Sequence, residues 1–169
     1  MLWLVFSMLF GCSQRYYIKR LDNKEYDHWR ALRVFMDKDE RKTYLKGKTQ
    51  KDRDAYLKKA GLWDKFYSYE QNIREKIVAL EVQEGWTRSM LLMSWGKPIE
   101  TRPQLQTSAV KAYWCEYKFE VHKGNDILVW EPGSKTEYKA KRFFRREVLL
   151  ENHGNLDSGQ DRIVKIVDR

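Results

Sequence analysis

The sequence predicts an α+β protein in which N-terminal helices pack on a C-terminal antiparallel β-sheet of three to four strands. Three observations carry this expectation. Apolar residues recur at spacings of three and four from Tyr26 to Trp95, with capping residues at the ends of the runs. From Tyr113 the period changes to two, with Tyr113, Cys115, Tyr117, Phe119 and Val121 set against Glu116, Lys118 and Glu120. The helical segments all precede the strands, which selects a helix-and-sheet layer over a doubly wound parallel sheet.

The helices follow in order. Asp22 or Asn23 can cap a helix running to about Met36, with Tyr26, Trp29, Leu32 and Met36 on one side and Phe35 widening that face. Asp39 to Lys46 forms a second, whose acidic start suits the positive end of the helix dipole and whose end is set by Gly47. Thr49 with Asp52 makes a capping box for a third, ending at Ala60-Gly61, and Trp63, Phe66 and Tyr67 fall in the connection. Ser68 and Gln71 form another box, opening a helix to about Glu84 that carries Ile73, Ile77 and Leu80. Thr87 caps a short helix with Met90, Leu91 and Trp95, which Gly96 and Pro98 bring to an end.

Tyr113 to Val121 reads as a half-buried strand, followed by the turn Lys123-Gly124-Asn125-Asp126 and a second strand, Ile127 to Glu131. Pro132-Gly133 turns the chain towards the apolar Phe143, Phe144, Val148, Leu149 and Leu150, and a last strand runs from Arg162 to about Val167.

Of the 169 residues, 42% are hydrophobic and 14% aromatic, a profile that excludes a disordered chain although 34% are charged. All 33 Lys and Arg follow residue 11, and the net charge of +9 favours anionic partners such as phospholipid headgroups or nucleic acid.

The first ten residues, MLWLVFSMLF, are an apolar run broken only by Ser7. It is far shorter than the ~20 residues a membrane-spanning helix needs and has the character of a signal-peptide core. Leu9-Phe10-Gly11-Cys12 then resembles the bacterial lipobox. That resemblance implies cleavage between Gly11 and Cys12 and attachment of lipid to the Cys12 thiol. Ser13 follows where an Asp would retain an enterobacterial lipoprotein in the inner membrane, so the same resemblance implies sorting to the outer membrane. The expected layout is a signal peptide over 1–11, a lipid-anchored tether over 12–21 and a single α+β domain over 22–169, made of a helical extension (22–67) and a helix–sheet core (68–169). With Cys12 lipidated, Cys115 stands alone and the fold rests on packing without a disulfide.

No residue pattern announces catalysis. Gly47-Lys48-Thr49 resembles the end of a phosphate-binding loop, but Lys42 stands where the first glycine belongs. His28, His122 and His153 are scattered, match no metal-ligand spacing, and read as surface or half-buried side chains. There is no G-x-S-x-G elbow, and Ser134 sits in a turn signal. Cys115, on the apolar side of a strand, reads as a small buried hydrophobe. Lys139, Lys141, Arg142, Arg145 and Arg146 interleave with Phe143 and Phe144, a pattern that suits single-stranded nucleic acid or a lipid surface, and more simply a solvated strand face. The expectation is a protein without catalytic residues, metal or cofactor, binding neither nucleic acid nor a small-molecule substrate. The alternative is an exported hydrolase acting on an envelope polymer, with carboxylates that only the fold brings together.

From Gly85 the order Gly85-Trp86-Thr87, a short apolar helix, Trp95-Gly96-Lys97-Pro98 and then Tyr113 to Phe119 resembles the SmpA/OmlA (BamE-like) lipoproteins, over about residues 70–131 and 162–168. Gly85-Trp86 and Asp39-Glu40-Arg41 also resemble the GWxTD-domain proteins, which rank second because Arg88-Ser89 stands where that family has Thr-Asp. The first resemblance implies a non-catalytic interaction or assembly module, lipid-anchored at the periplasmic face of the outer membrane. Its expected partners are the membrane, through the anchor, and envelope proteins such as outer-membrane assembly components. Trp86, Trp95 and Trp114 are the candidate core or contact residues.

Overall fold

The computed structural model describes residues 16–107, 110–124, 126–132, 140–153 and 161–169. Gly11, Cys12, Ser13, Ser134 and Lys139 therefore lie outside the described residues. The chain divides after Glu75 into two compact units.

The first unit is helical: α1 (Asn23–Leu32), a 3-10 turn (Arg33–Phe35), α2 (Lys38–Lys46), α3 (Gln50–Lys59) and α4 (Leu62–Tyr67). Three reciprocal capping boxes, Asp22 with Glu25, Asp37 with Glu40 and Thr49 with Asp52, satisfy the free N–H groups at the starts of α1, α2 and α3. Trp29, Leu32, Tyr44, Leu45, Leu57, Leu62 and Phe66 are buried, and Trp29 stacks on Tyr44 with centroids 5.9 Å apart.

Four local expectations are corrected here. The first helix stops at Leu32 and tightens, because Met36 must turn extended (φ −100°, ψ 139°) to place Asp37 as the next cap. Arg41 Nε donates to the carbonyls of Met36 (3.2 Å) and of Arg33 (2.8 Å), the latter also accepting from Met36 N, and Tyr26 is exposed instead of lining the buried face. Gly47 ends α2 without a left-handed turn (φ −48°); what it supplies is space, since a Cβ there would lie 2.8 Å from Arg53 Cγ. Trp63, Phe66 and Tyr67 are helical, because Gly61 at φ 67° lets α4 begin at once after α3. The Ser68–Gln71 box does not form. Ser68 Oγ donates to Lys65 O (3.4 Å), and α5 (Gln71–Val78), within which the two units divide, ends well before Glu84 because Leu80 adopts φ 65°.

The second unit carries α6 (Arg88–Trp95) and five antiparallel strands: β1 (Glu100–Gln106), β2 (Val110–Val121), β3 (Ile127–Val129), β4 (Arg142–His153) and β5 (Arg162–Asp168). This is the α+β class, with the helices ahead of the strands, and one strand more than the upper count that the sequence suggests. The order is β1-β2-β4-β5, and β1 and β3 share the remaining edge of β2 end to end. The unforeseen strand is β1, which contains Pro103 and shifts register between Pro103 and Leu105. Thr87 caps α6 by accepting from Met90 N (3.3 Å), and Gly96 (φ 76°, ψ −152°) ends it in a conformation open essentially to glycine alone.

On one face of the sheet Trp95 from α6 meets Tyr117 and Phe119 edge to face, at 5.2 and 5.0 Å. Leu91, Met93, Val148, Leu150 and Ile163 are buried in the same unit. The other row of β2 departs from the half-buried pattern: Glu116 and Glu120 are buried, as is Glu147, which stands opposite Glu116 on β4. Guanidinium groups cover two of these carboxylates, Glu116 and Glu147, and His122 Nε2 lies 3.4 Å from Glu120. Arg145 pairs with Glu116, and both Arg102 and Arg169 pair with Glu147.

Candidate functional site

The sheet unit contains an open groove of about 250 Å3 lined by Ala79, Leu80, Glu81, Val82, Phe119, Ile127, Phe144 and Arg146. Its first wall exists because the chain leaves α5 through the left-handed Leu80, whose carbonyl accepts from Trp95 Nε1 at 3.0 Å. That bond fixes the 79–82 segment to the helix that ends at Trp95. The opposite wall follows from the strand period: Phe119 on β2 faces Phe144 on β4 in register, and the rings stack at 4.7 Å with planes 3° apart. Arg146, two positions after Phe144, lies on the same face.

Arg146 is held in two ways. Its Nε donates to Asp168 Oδ1 at 2.6 Å, and its guanidinium carbon sits 5.7, 5.6 and 5.3 Å from the ring centroids of Trp95, Phe119 and Phe144. The planar cation is thus oriented by a carboxylate and by three negative ring faces. The acid lining the groove is Glu81, which is exposed.

The three tryptophans do not converge. Trp95 is buried beside the groove. Trp86 is buried where the chain joins β5, its carbonyl accepting from Ile163 N at 2.8 Å. Trp114 is half-buried, beside Leu149, on the sheet face away from Trp95. The basic run is divided too: Arg145 turns to Glu116 on one face and Arg146 to the groove on the other. Sequence reasoning grouped Phe144 and Arg146 with their neighbours; the period-two rule applied to β4 would have separated them.

Buried polar clusters also lie elsewhere among the described residues. In the helical unit His28, at 1% exposure, is neither a surface nor a half-buried residue, contrary to the sequence expectation. The α1 face that carries it is closed by α4, whose Trp63, Phe66 and Tyr67 set their rings edge-on to the imidazole. Nε2 lies 2.7 Å from the Tyr67 hydroxyl, while Nδ1 and Asp54 Oδ1 face each other at 3.9 Å, each without a hydrogen bond. Burial pushes the imidazole pKa down, and Lys24 adds to this, outweighing the upward pull of Asp54, Asp22 and Glu25. The folded state therefore binds the proton less readily than the unfolded chain. His28 gives full stability above the unfolded pKa of about 6.5, and that contribution drains away as pH falls towards the depressed folded value. Urea unfolding of the helical unit between pH 7.5 and 5 should show stability falling with pH, with a smaller slope in His28→Gln; an unchanged slope in that variant would refute the assignment.

In the sheet unit Asp161 accepts from the Tyr113 hydroxyl and from Asn152 Nδ2 (2.9 Å), while its carbonyl accepts from Arg88 N (3.0 Å). Burial and this carboxylate push the Tyr113 hydroxyl far above its ordinary range, so it stays a proton donor that ties β2 to the residue just ahead of β5. Cys115 is buried, as a small hydrophobe on that strand should be, and burial raises its thiol pKa. No helix among the described residues is long and apolar enough to cross a membrane.

No family model, no curated protein and no solved structure matches this chain.

Proposed function

We propose that the chain is a lipoprotein of the bacterial outer membrane that works by binding, held on the periplasmic face by lipid on Cys12. Its sheet unit offers the groove beside Arg146 to a protein partner. The observation that carries this reading is the apolar run MLWLVFSMLF followed directly by Gly11-Cys12. The order of elements supports it: a short helix, α6, then antiparallel strands, with Thr87 capping α6 and Gly96 closing it, the order that the BamE-like resemblance implies.

Expression in a Gram-negative host beside Cys12→Ala tests the reading. The wild-type chain should lose residues 1–11, gain acyl mass and enter the detergent phase, and the variant should do none of these. A wild-type chain that stays full length and water-soluble would refute the anchor and restore the exported-hydrolase alternative to consideration.

A further inference from the structure

We infer that the groove beside Arg146 recognises a partner segment that presents one bulky apolar side chain next to a carboxylate. This rests on the binding role proposed above and gives it a ligand chemistry.

Six of the eight lining residues are apolar, and about 250 Å3 is below the usual size of a small-molecule pocket but roomy enough for one leucine or phenylalanine side chain. The charge arrangement supplies the second half of the recognition. Arg146 uses Nε on Asp168, and among the described residues neither Nη has a hydrogen-bond partner. A guanidinium fixed in its plane by a carboxylate and three rings, with its outer N–H groups open, is prepared to take a carboxylate through two parallel hydrogen bonds. Ordering costs are small because the rings already hold the side chain. Glu81 sets the direction, since it repels a second acid from its own end of the groove and leaves the Arg146 end for the carboxylate. The net charge of +9 draws acidic partners to the protein as a whole.

The test uses the full chain carrying Cys12→Ser, 15N-labelled and titrated with N-acetyl-Leu-Leu bearing a free carboxylate, and separately with its amide. Amide shifts should move at Leu80, Val82, Phe119, Ile127 and Phe144. The acid should bind about fivefold to tenfold more tightly than the amide, the range for one partly exposed charge-assisted contact. Arg146→Gln should erase that difference and keep the weak amide binding. Ile127→Glu, at a position 44% exposed, should abolish both without unfolding the sheet. Equal binding of acid and amide, shifts that map away from the groove, or capture of decanoate in preference to both peptides would overturn the proposal. Because binding is measured without lipid or membrane, a negative result here leaves the Cys12 anchor untouched, and a failed anchor leaves a positive result here standing.

Discussion

Replacing Arg53 with alanine should destabilise the helical unit by about 3–5 kcal/mol, the cost of stranding a buried charge. Glu25, on α1, is 2% exposed and takes two hydrogen bonds from Arg53, through Nε at 2.7 Å and through Nη2. Its other oxygen accepts the capping-box bond from Asp22 N at 3.0 Å. Arg53 also donates to the carbonyl of Gly47, so one guanidinium joins α1, α3 and the turn between α2 and α3. Tyr44 adds a bond to the Glu25 carbonyl at 3.2 Å. Denaturant unfolding followed by far-UV circular dichroism reads the loss, and a change below about 1 kcal/mol would mean that water solvates the pair as it does an exposed one. The double variant Glu25→Leu with Arg53→Met should recover most of the stability, because it removes both charges from the interior.

Trp95→Ala should cost the sheet unit about 3–5 kcal/mol, through lost burial and the cavity left behind. The indole is 2% exposed, touches Tyr117 and Phe119, and anchors Leu80 through Nε1. Trp95→Phe separates the two contributions. It keeps a ring against the sheet and forfeits the bond to the Leu80 carbonyl, which is worth about 1–2 kcal/mol if that oxygen is left unpaired. Thermal unfolding followed in the near-UV ranks the three proteins. The assignment fails if Trp95→Phe is as stable as the wild type and the amide resonances of residues 79–82 do not move.

The parts of this fold that were legible in the sequence are those specified by neighbours. Asp22, Thr49 and Thr87 mark helix starts that the structure keeps, since a cap and its N–H donor are three residues apart. The odd-numbered residues of β2 report their buried face through a period of two, and Cys115 follows from its place in that row. What was not legible depends on distant partners. Glu116 reads as solvent-facing on a half-buried strand until Arg145, 29 positions along, is placed beside it. His28 reads as a surface or half-buried side chain until α4 closes over it. The chain conformation also hid information: α5 ends where a leucine, not a glycine, turns left-handed, and β1 contains a proline that argues against a strand. The groove draws on four separate stretches of chain, and nothing local marks Arg146 as the residue whose outer N–H groups remain open.

The sheet's exposed border also bears on how the molecule behaves in a crowd. A flat strand edge is a template on which another chain can crystallise into an ordered stack, but β1 presents one fewer donor at Pro103 and a broken register just beyond it. A second sheet laid over the glutamate face would have to strip two buried carboxylates, Glu116 and Glu147, of the arginines that neutralise them. Fibre growth from either direction is therefore obstructed by residues that the monomer already uses. The start of β5 is itself occupied by the 85–88 segment, through Gly85 N to Ile163 O and Ile163 N to Trp86 O, which leaves the later residues of β5 as the stretch where strand addition meets neither obstacle.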